Sequence, residues 1–245
     1  MWIMNRILNL IQGIVTLITQ SPMTIGFILF DNLTQLDLTA PYEVFSRLPN
    51  TQVCLIAEKK APVKSDSGLA IMPDTNFKSC PQLDIICVPG GPGIGGAIEN
   101  KKLMAFLKKQ AQQAQYITSV CTGALVLAAA DLLRGYAATT HWLSMDLLGL
   151  FPEIIVKNER VVIDRNRITG GGVTAGLDFA LVLAAKIYGE NTAKEIQLML
   201  EYNPAPPFNC GSPENIEKQL LEKIIAERIT GQTKRKELIL TILNT

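Results

Sequence analysis

From Thr24 onward, short runs of consecutive apolar residues alternate with longer stretches whose apolar positions recur every three or four residues. "TIGFILF" (24–30), "QVCLIAE" (52–58), "LDIICVP" (83–89) and "YITSV" (116–120) are short, apolar and rich in β-branched residues, as strands buried on both faces of a parallel sheet should be. Helical patterns lie between or after them. "TAPYEVFSRL" (39–48) offers Thr39 as an N-cap and Pro41 as a first-turn proline, and "AIENKKLMAFLKKQAQQA" (97–114) reads as one amphipathic helix. "TGALVLAAADLL" (122–133) and "AGLDFALVLAAKIYG" (175–189) are almost wholly apolar and predict buried helices. "PVKSDSGLAIMPD" (62–74) and "VVIDRNRIT" (161–169) predict hairpins, the second turning at Asp164-Arg165-Asn166, and the tail from about Pro213 to Leu243 reads as charged and helical. The pattern predicts an α/β fold, a mostly parallel sheet with helices on both faces, in one domain over residues 24–245.

The leader "MWIMNRILNLIQGIVTLITQSPMT" does not continue this pattern. Asn9, Gln12 and Thr16 interrupt its apolar stretch, no A-x-A cleavage site follows, and it is too polar to span a bilayer convincingly. An upstream start ahead of Met23, an added amphipathic helix and an export signal are the readings open to it. Residues 1–23 are therefore set outside the domain.

Composition narrows the choice of partner. With 48% hydrophobic and 18% charged residues in 245, the chain can bury a full core, and the composition points to a folded domain rather than disorder. Lys+Arg 23 against Asp+Glu 22 gives a formal charge of +1, so no general basic field gathers nucleic acid or an anionic membrane, and a small molecule is the expected ligand. The five cysteines form no C-x-x-C pair, and with a single histidine no tetrahedral zinc pattern can be assembled. Reduced thiols in the cytoplasm fit this usage.

Ligands of open parallel sheets collect at the carboxyl ends of the strands. Four informative stretches fall there: "FDNLTQLDLTAP" (30–41), "VPGGPGIGG" (88–96), Cys121-Thr122-Gly123, and "TGGGVTAG" (169–176). Cys121 stands where a strand breaks into a helix. Gly123 leaves room for the sharp turn, as in a nucleophile elbow, and the helix N-terminus that follows is expected to lower the thiol pKa from about 8.5 into a range of roughly 3.5–7.5. Cys54 and Cys87, inside strands, read as core residues, and Cys80 and Cys210 as loop thiols.

"GPGIGG" (91–96) matches the dinucleotide fingerprint G-x-G-x-x-G in form only. Between Glu99 and Asp131 there is no acid to hold a ribose, and Pro92 removes an N–H that a pyrophosphate would use. Gly90 and Gly91 instead permit a bare turn beside Cys121, where the N–H of Gly91 with that of Thr122 can form an oxyanion-type hole; a purely structural glycine turn is the other reading. Asp37, between Leu36 and Leu38, is the acid to pair with the thiol, since an apolar setting raises a carboxyl pKa; a role as helix cap is equally open to it. His141, in "ATTHW", is the only partner for a Cys-His dyad and otherwise a hydrogen-bonded structural residue lining the same site.

"SVCTGALVLAAADLLRGYAATTHW" (119–142), "LFDNLTQLDLTAPYEVF" (29–45), "DIICVPGGPG" (84–93) and "LMLEYNPAPPFNCGSPE" (198–214) together resemble the ThiJ/PfpI superfamily, within it the isonitrile hydratase branch. The resemblance spans roughly Thr24 to Glu214. It implies a flavodoxin-like α/β sandwich of the class I glutamine amidotransferase-like kind, a cofactor-free homodimer, and hydration of R–N≡C to an N-substituted formamide. It carries the essential cysteine and aspartate onto Cys121 and Asp37, with Thr122 after the nucleophile; the residues read above as surrounding the substrate are Gly90, Gly91, Gly123 and His141. Thr122 stands where protease-type relatives carry histidine, which argues against peptidase activity. Ala40 replaces a common glycine, and Asn203 and Cys210 alter the late loop; these departures touch substrate fit. Regulators that join such a domain to a DNA-binding module need about a further hundred residues, which the neutral tail does not supply. A redox-responsive sensor without turnover and an enzyme acting on α-oxoaldehydes are the alternatives to hydration.

Overall fold

The computed structural model describes residues 22–244, so the leader lies outside the described residues except for its end. Met23 already belongs to the first strand, one residue before the expected boundary. In chain order the elements are β1 (Met23–Ile28), α1 (Gln35–Phe45), β2 (Thr51–Ala57), β3 (Val63–Lys64), β4 (Ala70–Ile71), β5 (Thr75–Asn76), β6 (Ile85–Val88), α2 (Ile94–Glu99), α3 (Lys101–Ala111), β7 (Tyr116–Val120), α4 (Gly123–Ala129) and β8 (Ala137–Ala138). They continue with α5 (Met145–Leu148), β9 (Ile155–Val156), β10 (Val161–Asp164), β11 (Arg167–Gly170), α6 (Ala175–Tyr188), α7 (Glu190–Met199) and α8 (Lys218–Leu243).

Seven strands form the central sheet in the order β10-β11-β7-β6-β1-β2-β5, parallel throughout except for the β10–β11 hairpin. The apolar runs serve both faces because successive side chains point to opposite sides. Ile85 and Cys87 of β6 join a core with Phe27, Phe45 and Phe179, beneath α1, α6 and α7. Ile86 and Val88 face the other way, into a core with Phe106, Leu125 and Ile239 under α2, α3, α4 and α8. From β1 the chain moves to β2 on one side and later returns to β6 on the other. That reversal opens a crevice above the carboxyl ends of β1 and β6, the position where such sheets hold ligands.

Three elements differ from the sequence expectation. α1 begins at Gln35 rather than after Thr39, with Thr34 as its N-cap residue, so Pro41 lies inside the helix. The proline is accommodated where α1 packs tightly on α6: a Cβ added at Gly176 would stand 3.0 Å from Pro41 Cδ and 3.4 Å from Ala40 Cβ. Ala40 is thus a helix-packing residue and does not touch the ligand crevice. The helix expected over 97–114 is two helices, divided at Asn100, whose Oδ1 accepts from the N–H groups of Lys102 (3.0 Å) and Leu103 (3.1 Å). A side-chain cap of this kind competes successfully with helix continuation. Helix α7 has no counterpart in the predicted elements. Both hairpins form, as β3–β4 and β10–β11. Among the described residues no helix is long and apolar enough to cross a membrane.

Asn100→Ala should cost about 1 kcal/mol through loss of the cap. Thermal unfolding should show this as a fall in Tm of roughly 2–4 °C, with activity retained.

Candidate active site

Cys121 directly follows β7 and has φ 55°, a left-handed backbone that a non-glycine residue holds only under external constraint. Two hydrogen bonds supply it. The N–H of Cys121 donates to Gly170 O at the end of β11 (3.0 Å), and Thr140 Oγ1 donates to Cys121 O (2.9 Å). Gly123 then lets α4 start beside β6, since a Cβ there would lie 2.1 Å from Val88 O. The elbow expected from the sequence is therefore built, and its sulfur is brought to the carboxyl end of the sheet beside the crevice.

The acid comes from α1. Asp37 occupies the third position of that helix, fully buried, and its Oδ2 accepts from the N–H of Gly90 (2.9 Å). It does not cap the helix, because its carboxylate is spent on the loop after β6. Asp37 Oδ1 is buried without a conventional hydrogen-bond partner, and the Cys121 thiol acts on this carboxyl as a neighbouring donor. Only glycine fits at position 90: a Cβ would meet Thr122 N at 2.5 Å, Thr122 Oγ1 at 2.6 Å and Asp37 Oδ2 at 2.9 Å.

Two sequence expectations change here. The N–H of Gly91 donates to Thr122 Oγ1 (2.9 Å), so it is not free to form an oxyanion hole with Thr122. It instead orients the threonine hydroxyl, which together with the Thr122 N–H is directed at the sulfur. The thiol pKa is also pushed up rather than lowered. Burial is the largest cause and the neighbouring Asp37 charge the next, and together they outweigh the donors from Thr122 at the start of the seven-residue α4. Burial likewise raises the Asp37 carboxyl from 3.8 to about 7, against the opposing hydrogen bonds from Gly90 and Cys121. In the resting pair the sulfur holds its proton, and the carboxyl changes state near neutral pH.

A cavity of about 740 Å³ opens above the pair. Its inner wall includes Cys121, Thr122, Gly91 and His141, and its outer wall is the inward face of α8. His141 is half-buried, its Nδ1 accepting from the N–H of Leu143 (3.3 Å). Burial and the nearby Arg235 and Arg228 lower its pKa, so it lines the cavity as a neutral ring. Cys210 of the late loop lines the rim, whereas Asn203 does not. All five cysteines are free thiols. Among the described residues no three His, Cys, Asp or Glu side chains converge as a metal site would require. The sequence reading missed Thr140 and Gly170, which pin the elbow, and the arginines of α8. The first two act through contacts without a motif, and the arginines are visible only as cations interrupting an apolar stripe.

A flavodoxin-like α/β sheet with a cysteine on a nucleophile elbow and a buried acid beside it defines the class of protein. The chain belongs to the DJ-1/PfpI family, whose pattern matches residues 23–186. It is 52% identical over 201 residues to the isonitrile hydratase of Pseudomonas putida, covering 82% of this chain and 88% of that one. A crystal structure of a ThiJ/PfpI family protein from Pseudomonas syringae superposes with a TM-score of 0.86 at 40% identity, covering 89% of this chain and 90% of that one. The transcriptional regulator GbdR of Pseudomonas aeruginosa is 32% identical over 190 residues, 75% of this chain but 52% of the regulator.

The raised Asp37 pKa fixes the sign of a pH effect. The folded protein binds this proton more tightly than the unfolded chain, so the stability it confers is present below about pH 4 and is lost as pH rises through about 7. Denaturant unfolding of wild type and Asp37→Asn at pH 5 and pH 8 should show the variant gaining on wild type at the higher pH. A constant difference between the two would mean that the carboxyl titrates normally.

Proposed function

We propose that this chain is an isonitrile hydratase, converting R–N≡C and water to R–NH–CHO. The observation that carries the reading is the buried Cys121–Asp37 pair, with one proton on sulfur and an acid that titrates to about 7. The 52% identity to the isonitrile hydratase of Pseudomonas putida supports it.

Ionised Asp37 takes the thiol proton as Sγ attacks the terminal isonitrile carbon, and then delivers that proton to the same carbon. The product is a thioimidate, R–N=CH–S–Cys121. Asp37, again ionised, accepts a proton from a water that adds to the thioimidate carbon and passes it to the nitrogen. Cleavage of the C–S bond then releases the formamide as the remaining hydroxyl proton, carried by Asp37, returns to sulfur and restores the thiol. The Thr122 N–H and hydroxyl stabilise charge on sulfur as it attacks and leaves, and Gly90 holds the carboxyl in place. Gly91 and Gly123 position Thr122 and the elbow, and His141 bounds the substrate space. A buried thiol with a raised pKa speaks against a peroxide-type sensor, which needs an exposed thiolate.

The protein is assigned to the cytoplasm, where free thiols persist, and to a homodimer with a small-molecule substrate and no nucleic-acid partner. Leu198, Met199 and Phe208 stand 79%, 78% and 74% exposed, large apolar side chains of the kind that association covers.

Purified protein given cyclohexyl isonitrile should form the formamide, and methylglyoxal should yield no hydroxy acid; the reverse result would move the assignment to α-oxoaldehydes. Cys121→Ala and Cys121→Ser should abolish formamide formation with the fold intact, and normal turnover by the alanine variant sinks the mechanism. Asp37→Asn should lower kcat by roughly 10²–10⁴. Sedimentation at micromolar concentration should give twice the chain mass, and a species of single-chain mass alone would remove the dimer.

A further inference from the structure

Helix α8 closes the cavity with a face of unusual composition. Its inward positions, Leu221, Ile224, Arg228, Gln232, Arg235 and Ile239, follow the 3.6-residue repeat. Ile239 is buried in the core, and Leu221 and Ile224 are half-buried at the opposite end. The intervening turns, which cross the cavity, present cations and an amide where an apolar stripe would otherwise continue.

Arg235 is half-buried and forms no ion pair among the described residues. The groups that act on its charge are Cys121 and Arg228, the second of which repels it. Two acids also line the cavity. Asp66 accepts from Thr34 Oγ1 (2.8 Å) on the wall formed by the loops, and Glu227, exposed like Arg228, lines the cavity two turns before Arg235. Neither forms an ion pair with Arg235. Cys121 does not supply a standing anion either, because its thiol keeps its proton at neutral pH. Gln232 adds a further unmet demand: its Nε2 donates weakly to Ser144 Oγ (3.5 Å), and its buried Oε1 has no partner. Turning the amide over lets Oε1 accept from Ser144 and places the NH₂ donors where Oε1 now lies.

A half-buried guanidinium without a counter-ion, flanked by a second arginine and an amide able to donate, is a receptor for a carboxylate. We infer that the α8 face formed by Arg235, Arg228 and Gln232 is a subsite for a carboxylate on the substrate's R group, so that the preferred isonitriles are carboxylate-bearing. The isonitrile carbon reaches Cys121 from the sheet side of the cavity while the acid group faces α8. The cavity, at about 740 Å³, lies within the usual size range for drug-sized ligands and leaves room for such a substituent. This inference rests on the hydration chemistry proposed above, which assigns the reacting carbon to Cys121.

The test compares 4-isocyanobutanoate with its methyl ester, matched in chain length but differing in charge. Wild type should favour the carboxylate in kcat/KM by roughly 10–100-fold, the range of a charge-assisted hydrogen bond, with the difference mainly in KM. Arg235→Gln should bring the ratio near one, and Arg235→Lys should restore part of it by keeping the charge. Equal turnover of acid and ester by wild type overturns the subsite and leaves the hydratase reading standing. If neither isonitrile is hydrated, turnover of cyclohexyl isonitrile decides the hydratase reading, and titration calorimetry of 4-formamidobutanoate and its methyl ester still decides the subsite. Tighter binding of the acid that disappears in Arg235→Gln supports it, and equal binding of acid and ester overturns it.

Discussion

The site depends on the backbone of Cys121 being held at φ 55° from both sides. A bond from its N–H to Gly170 and another to its carbonyl from Thr140 draw on two separate later segments of the chain. The left-handed conformation is unfavourable for cysteine alone, so the fold after β7 must be complete before the sulfur is correctly aimed. The placement of the Cys121 sulfur is thus a product of tertiary structure, although its position is marked by three adjacent residues.

The electrostatics of the pair follow from the same placement. Lifting the thiol onto the elbow also buries it against Asp37, and removal of water raises both pKa values. The backbone N–H of Gly90 and the donors of Thr122 lean the other way but do not reverse the balance. The result suits proton transfer between neighbours better than storage of a free thiolate. Desolvation here sets which group holds the proton at rest, and the short α4 contributes only a correction.

The sheet, its strands and the elbow were legible in the sequence because doubly buried strands and a cysteine at a strand end each leave a local signature. Asp37 was legible through its apolar flanks, but its role was ambiguous until α1 proved to start at Gln35, which removed it from the capping position. The division of the 97–114 helix turned on one side chain, Asn100, that periodicity does not weigh. The thiol pKa was misjudged because helix polarity can be read from sequence whereas solvent exclusion cannot. Thr140, Gly170 and the inward face of α8 contribute through distance in space, and no spacing along the chain announces them.

The family pattern matches residues 23–186, while the long helix that forms the outer cavity wall spans Lys218–Leu243. On the proposed reading, the reactive pair and the outer wall of its cavity are written in separate stretches of the chain. Changes in the last helix can retune which molecules are admitted without disturbing the sulfur, the acid or the strands that hold them. Such a division gives evolution a free variable: one reactive centre can be offered to new compounds by replacing a wall, as a lock is rekeyed without replacing its bolt.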